Sequence, residues 1–213
     1  MKSKKDVKEI IKILKETYPE AECSLDFSNP FQMAIAVLLS AQCTDARVNI
    51  VTKELFKIAP NAKEMNKLTV EEIEKYISSC GLYKTKAKNI KGLAEMVMDT
   101  YNGEIPDTME ELVKLPGIGR KSANVIMLEA FHNPQGVAID THAKRICNRI
   151  GISKEESPEK IEQDLLKKID KDEYFDANHL CVWHGRYTCK ARKPECERCT
   201  ITKYCNYFKI KNK

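Results

Sequence analysis

Apolar positions recur at helical spacing along almost the whole chain. Val7, Ile10, Ile11 and Leu14 fall at i, i+3, i+4 and i+7, which predicts an amphipathic helix ending before Pro19. Asn29-Pro30 pairs an N-cap residue with a proline suited to the first helical position. The stretch Phe31–Ala41 that follows is apolar nearly all round, the pattern of a central, buried helix. Thr44 and Asp45 open a further helix with Val48, Val51 and Leu55 on one face. Thr69-x-x-Glu72 reads as a capping box, and Gly81 suits the C-terminus of the helix it begins. Ile90, Leu93, Ala94 and Val97 mark another helix, stopped near Gly103. Thr108-x-x-Glu111 is a second capping box, opening a short helix to about Leu115. Lys121–Phe131 carries its apolar face on Ala123, Ile126, Met127 and Ala130. Ala143, Ile146, Cys147 and Ile150 follow Asp140 and are closed by Gly151; Ser157-Pro158 starts a further helix, and the last long one runs from about Tyr174 to Gly185. Strand-like alternation of useful length is missing, so the expected fold class is all-α. The polar stretch 132–136, with Pro134 and Gly136, is the place where two lobes would join.

Composition narrows the class. With 213 residues the chain can form one large domain or two small lobes. No run of about 18 apolar residues predicts a membrane span. The charged start, Met1-Lys2-Ser3-Lys4-Lys5-Asp6, has no apolar signal core, so a cytoplasmic protein is expected. The net charge of +5 is compatible with a polyanionic partner and does not by itself establish one. Nine cysteines in such a chain favour metal ligation over disulfides. Cys23, Cys43, Cys80, Cys147 and Cys181 are scattered among helical stretches and read as buried thiols.

The other four cysteines are concentrated. Cys189, Cys196, Cys199 and Cys205 have the spacing C-x6-C-x2-C-x5-C. Zinc sites pair ligands two to four residues apart, twice over, whereas only Cys196 and Cys199 are that close. The looser gaps suit a cubane iron–sulfur cluster with separated iron corners; zinc and plain thiols remain alternatives at this level. Lys190, Arg192 and Lys193 lie between the first two cysteines, where ligation would tie three cations into a basic knob for phosphates. The bland alternative is a solvated charged loop.

Upstream lies Leu115-Pro116-Gly117-Ile118-Gly119-Arg120-Lys121 between two amphipathic helices, a helix–hairpin–helix pattern. Gly117 and Gly119 allow tight turns and close phosphate approach, and the amides opening the next helix can hold a phosphate without reading sequence. An ordinary turn is the alternative. Lys121 falls in the first turn of that helix, where the dipole opposes a cation; together with partial burial this would favour a neutral, nucleophilic amine. Many lysines are simply surface charges. Asp140 is placed as an N-cap, which also buries and orients a carboxylate.

These segments together resemble the endonuclease III family, base-excision-repair DNA glycosylases with lyase activity. The likeness rests on Leu38-Leu39-Ser40-Ala41-Gln42, Gly81-Leu82-Tyr83, Leu115 to Asn124, Val137 to His142, His184 to Cys189 and the cysteine tail, and covers essentially the whole chain. It implies a two-lobed helix–hairpin–helix glycosylase fold: an N-terminal helix (1–22) belonging to the cluster lobe, a six-helix barrel (23–134) with the hairpin, and C-terminal helices with a 4Fe–4S cluster loop (135–213). It further implies Cys189, Cys196, Cys199 and Cys205 as cluster ligands. Lys121 is implied as nucleophile and Asp140 as catalytic carboxylate in the cleft between lobes. Gln42 and Leu82 would be side chains that enter the duplex; Gly117, Gly119, Lys190, Arg192 and Lys193 would contact DNA. The implied partner is double-stranded DNA with damaged pyrimidines or abasic sites, acted on by a monomer associated with the nucleoid. Two readings compete. A mismatch adenine glycosylase lacks the hairpin lysine and carries an extra C-terminal domain, whereas Lys121 is present and the chain stops soon after Cys205. A DNA-structure binder would not need both Lys121 and Asp140, and an electron-transfer protein would show a reversible redox response and leave lesion-containing DNA intact.

Overall fold

The computed structural model describes residues 1–211. Among these residues all regular structure is helical. The chain divides into two compact units, residues 24–133 and residues 1–23 with the chain from 134 onward.

The unit of residues 24–133 is built on α2 (Pro30–Ser40). Phe31 to Leu39 are all buried, as expected of a helix apolar on every side. Asn29 starts it: its side chain accepts from the Gln32 amide at 2.9 Å, with Pro30 filling the first position where no donor is needed. Around α2 pack α3 (Asp45–Ile58), α6 (Tyr83–Thr100) and α8 (Arg120–Glu129). Two shorter helices, α4 (Ala62–Lys67) and α5 (Val70–Ile77), lie on α6, and the single turn α7 (Met109–Leu112) leads towards the hairpin before α8. Ile90, Leu93, Ala94 and Val97 are fully buried on α6, so the apolar stripe read from the sequence faces the core.

The other unit joins the two ends of the chain. It contains α1 (Lys4–Thr17), α9 (Thr141–Ile150), α10 (Pro158–Leu166), α11 (Tyr174–Tyr187) and α12 (Asn206–Lys211). Val7, Ile10, Ile11 and Leu14 of α1 enter one core with Ile146, Cys147 and Ile150 of α9, Ile161 and Leu165 of α10, and Leu180 of α11. At the surface, Lys4 and Lys8 pair with Asp170, and Lys15 pairs with Asp176. The two lysines hold the Asp170 carboxyl down at about 2, chiefly through their hydrogen bonds. α9 ends at Gly151, whose φ of 95° is left-handed and suits glycine; a Cβ there would lie 2.1 Å from the Asn206 side chain of α12, which would have to turn away.

Several local expectations need correction. Thr69 and Glu72 form the full capping box, but Thr108 and Glu111 form half of one: Thr108 accepts from the Glu111 amide, while the Glu111 carboxylate is taken by Tyr101 and Lys114. A full box that the pattern did not reveal is at Ser3 and Asp6. Gly81 does not end α5, which stops at Ile77 and is capped by Ser78. α7 stops at Leu112 rather than Leu115, and α4, of six residues, was too short to show periodicity. Of the five scattered cysteines, Cys80, Cys147 and Cys181 are buried, whereas Cys23 and Cys43 are half-buried. Burial and the neighbouring Cys43 thiol push the Cys80 thiol up to about 11, so it behaves as an inert core residue. No helix of the described residues is long and apolar enough to cross a membrane.

Candidate DNA-repair site and cluster-binding tail

The hairpin is held from below. Leu115 and Ile118 are buried, so the turn between them is anchored at both ends. Gly117 has φ 78°, and a Cβ there would sit 2.8 Å from Leu38 Cδ1 of α2 and 3.0 Å from Asn89 Nδ2 of α6. Glycine is required twice, for its conformation and for space. Gly117→Ala is therefore expected to cost about 1–3 kcal/mol of stability and to weaken binding to undamaged duplex; chemical denaturation and a binding titration check both. Gly119 differs: it is the N-cap of α8, provides no side-chain cap, and a Cβ there would meet nothing within 4 Å. The start of α8 thus offers backbone amides on an open side, the arrangement that receives an anionic oxygen.

Lys121 occupies the first turn of α8 and is exposed rather than partly buried as the sequence suggested. Asp140, in the other unit, is the N-cap of α9: its Oδ1 accepts from the Ala143 amide at 2.8 Å. The segment before it is pinned by Asn178 of α11, which accepts from the Ala138 amide at 2.7 Å and donates to the Gly136 carbonyl at 3.3 Å. Asn178 is buried, and the sequence signal was a polar amide amid the apolar residues of the last long helix. The backbone leading into Asp140 is thereby fixed by side-chain hydrogen bonds.

Gln42 and Leu82 belong to the hairpin unit and share an uncommon feature. Both are non-glycine residues with left-handed backbone, φ 53° and 58°. Both are exposed, and Leu82, 62% accessible, is the most exposed large hydrophobic residue within residues 24–133. A left-handed conformation costs a side-chain-bearing residue roughly 1 kcal/mol, so the surrounding structure must impose it.

The four tail cysteines line one cavity together with His184, Ile150, Ile201 and Phe208. None is in a disulfide. Among the described residues no three ligand-type side chains converge as around a single metal ion, while all four cysteines line this common space. That donor set fits a body with several iron corners better than one zinc ion. Burial raises the Cys199 and Cys205 thiols; thiolate ligation to iron would reverse that tendency. Burial, with the nearby Arg145 cation, holds His184 down at about 4; its Nδ1 is 3.0 Å from the Tyr18 hydroxyl and its Nε2 is 3.8 Å from Cys199 Sγ.

Two arginines of α9 organise the loop between Cys189 and Cys196, and sequence reasoning missed both. Arg145 donates to the carbonyls of Cys189 and Gly185, each at 3.0 Å. Arg149 donates to the carbonyls of Lys190 and Ala191, each at 2.8 Å, and lies 3.4 Å from Cys189 Sγ. Guanidinium groups suit this work because one fork satisfies several acceptors. Lys190, Arg192 and Lys193 are all exposed; Lys190 is paired with Glu195, which also meets Arg198.

A glycine hairpin opening a helix, followed by an exposed lysine, and a four-thiol tail mark a DNA-handling helix–hairpin–helix protein with an iron–sulfur module. Comparison with known proteins bears this out. Residues 35–171 match the HhH-GPD superfamily of base excision DNA repair proteins, and residues 189–205 match the iron–sulfur binding domain of endonuclease III. Endonuclease III of Synechocystis sp. is 45% identical over 206 residues, covering 96% of this chain and 94% of that protein. The Escherichia coli enzyme is 43% identical over 199 residues, covering 93% and 94%. A solved structure of a trapped endonuclease III–DNA covalent intermediate superposes with a TM-score of 0.95 at 41% identity over the whole of both chains. The chain belongs to the endonuclease III family. It is a base-excision-repair DNA glycosylase and abasic-site lyase whose cofactor is a 4Fe–4S cluster.

Proposed function

We propose that the enzyme, acting as a monomer on double-stranded DNA, removes oxidised or ring-fragmented pyrimidines and cleaves the strand 3′ to the resulting abasic site. The observation that carries this reading is the exposed Lys121 in the first turn of α8, directly after the uncapped glycine hairpin. Backbone amides at the hairpin and the start of α8, with Arg192 and Lys193 on the tail loop, hold phosphates. Gln42 and Leu82 occupy the space left by the damaged nucleotide, which leaves the stack most readily when it pairs poorly.

The chemistry then follows from an amine and a carboxylate. The lone pair of Lys121 Nζ forms a bond to the sugar carbon C1′, and the bond from C1′ to the damaged base breaks, the base leaving with a proton. Asp140 stabilises the positive charge that develops on the sugar. Ring opening gives an imine between lysine and C1′. Loss of a C2′ proton expels the 3′ phosphate oxygen, and water releases the lysine. The cluster supplies no step in this sequence. Cys189, Cys196, Cys199 and Cys205 would hold it, where it ties the tail loop into one fixed shape. The site of action is the cytoplasm, on nucleoid DNA.

The test is a duplex with a single thymine glycol. The expected products are free thymine glycol and a strand ending in an unsaturated sugar. Base release with an intact strand would instead indicate a glycosylase without lyase action. No base release would refute the pyrimidine assignment.

A further inference from the structure

Lys86 is the one lysine in the core of its unit, 4% accessible, and the proposed chemistry does not use it. It lies on α6 in line with Ile90, Leu93 and Val97, the buried face of that helix. Its Nζ donates to the Leu39 carbonyl at 2.9 Å and to the Ala41 carbonyl at 2.7 Å. Both carbonyls belong to the end of α2, where the chain has no glycine cap and turns at once through the left-handed Gln42. An ammonium group against a helix C-terminus is favourably placed, since it meets carbonyl groups and the negative end of the dipole. Lys86 also stands one helical turn from the second left-handed residue, Leu82. The Lys86 amide donates to the Leu82 carbonyl at 3.1 Å, the first turn of a helix whose N-cap, Leu82, has no side-chain hydrogen bond. Gly81 completes the join: a Cβ there would lie 3.4 Å from the Gln42 carbonyl oxygen, so the two turns touch.

We infer that Lys86 is a positioning residue for lesion recognition: its buried ammonium clasps the end of α2 to the start of α6 and holds Gln42 and Leu82 as one paired, pre-formed element. The inference rests on the reading that these two side chains enter the duplex. A preset pair spares the enzyme the ordering of two loops when the base leaves the stack. Phosphate contacts are made elsewhere, by the hairpin and the tail loop. Loss of the clasp therefore acts on discrimination, not on general affinity for DNA.

The experiment compares binding to a duplex containing a tetrahydrofuran abasic analogue with binding to the undamaged duplex. The proteins are full-length and cluster-loaded: wild type, Lys86→Met, Lys86→Gln, the double variant Gln42→Ala/Leu82→Ala, and that double variant with either Lys86 substitution. Lys86→Met is expected to lose about tenfold in lesion preference while binding undamaged duplex within about twofold of wild type. In the Gln42→Ala/Leu82→Ala background the same substitution should change lesion preference by less than about twofold, because nothing is left to position. Lys86→Gln keeps a shorter donor and is expected to lie between wild type and Lys86→Met; it carries the comparison if circular dichroism shows Lys86→Met to be unfolded. A folded Lys86 variant with wild-type preference overturns the inference, and so does an equal loss in both backgrounds. Wild-type preference in Gln42→Ala/Leu82→Ala would overturn the insertion reading itself and the inference with it. A loss there but not at Lys86 overturns the inference alone.

Discussion

Lys121→Ala is expected to abolish covalent trapping by borohydride on a thymine glycol duplex. Borohydride reduces the imine between lysine and the sugar to a stable amine, so wild type should yield a protein–DNA adduct and the variant none. Strand cleavage should fall by at least about 10³-fold, because no other side chain replaces a covalent nucleophile. Stability should hardly change. Lys121 is exposed, and removing a cation from the first turn of α8 relieves an unfavourable dipole interaction of roughly 0.3–1 kcal/mol. Binding to undamaged duplex should also persist, since the hairpin amides are untouched. Loss of chemistry in a fully folded, DNA-binding protein would assign the nucleophile. An adduct of undiminished yield from the variant would mean that another amine forms the imine.

Cys199→Ser should lose the visible iron–sulfur absorbance and bind DNA about 10–100-fold more weakly. A hydroxyl is close in size to a thiol but is a poor replacement for a thiolate at iron. Between Cys189 and Cys205 the backbone forms only two 3-10 turns, Cys196–Arg198 and Thr202–Tyr204, so little regular hydrogen bonding would preserve its path without ligation. Arg145 and Arg149 would still hold the first part of the loop, up to Ala191. Arg192 and Lys193 lie beyond that anchor and would lose their fixed place opposite phosphate. The loss should be one of affinity: at saturating DNA, borohydride trapping through Lys121 should return towards the wild-type yield. Unchanged absorbance would remove Cys199 from the ligand set. Unchanged affinity with lost absorbance would separate the cluster from DNA binding.

Much of this was legible in the sequence because it depends on near neighbours. Helix periodicity, the caps at Asn29 and Thr69, the Gly117 turn and the cysteine spacing involve residues a few positions apart. The family likeness added roles for Lys121, Asp140, Gln42 and Leu82 that spacing alone did not carry; Leu82 would otherwise have read as core. The misread capping box at Glu111 has a clear cause. Glu111 had the spacing of a capping residue, yet Tyr101 and Lys114 compete for its carboxylate. Lys190 likewise pairs with Glu195, beyond the run of cations that the sequence shows. In each case a partner outside the motif decided which hydrogen bond or ion pair was made.

By itself the sequence determined an all-helical chain, the order of its helices, a glycine turn before a lysine and a four-cysteine tail, since period, turn chemistry and ligand spacing are local properties of a polypeptide. Tertiary structure alone decided that a lysine in an apolar stripe would be buried against the carbonyls of Leu39 and Ala41, that Asn178 would fix the approach to Asp140, and that Arg145 and Arg149 would bind the tail loop. These contacts join residues some 40 positions apart. Each depends on a buried polar group finding a partner, and which partner it finds is set by how the helices pack rather than by any spacing along the chain.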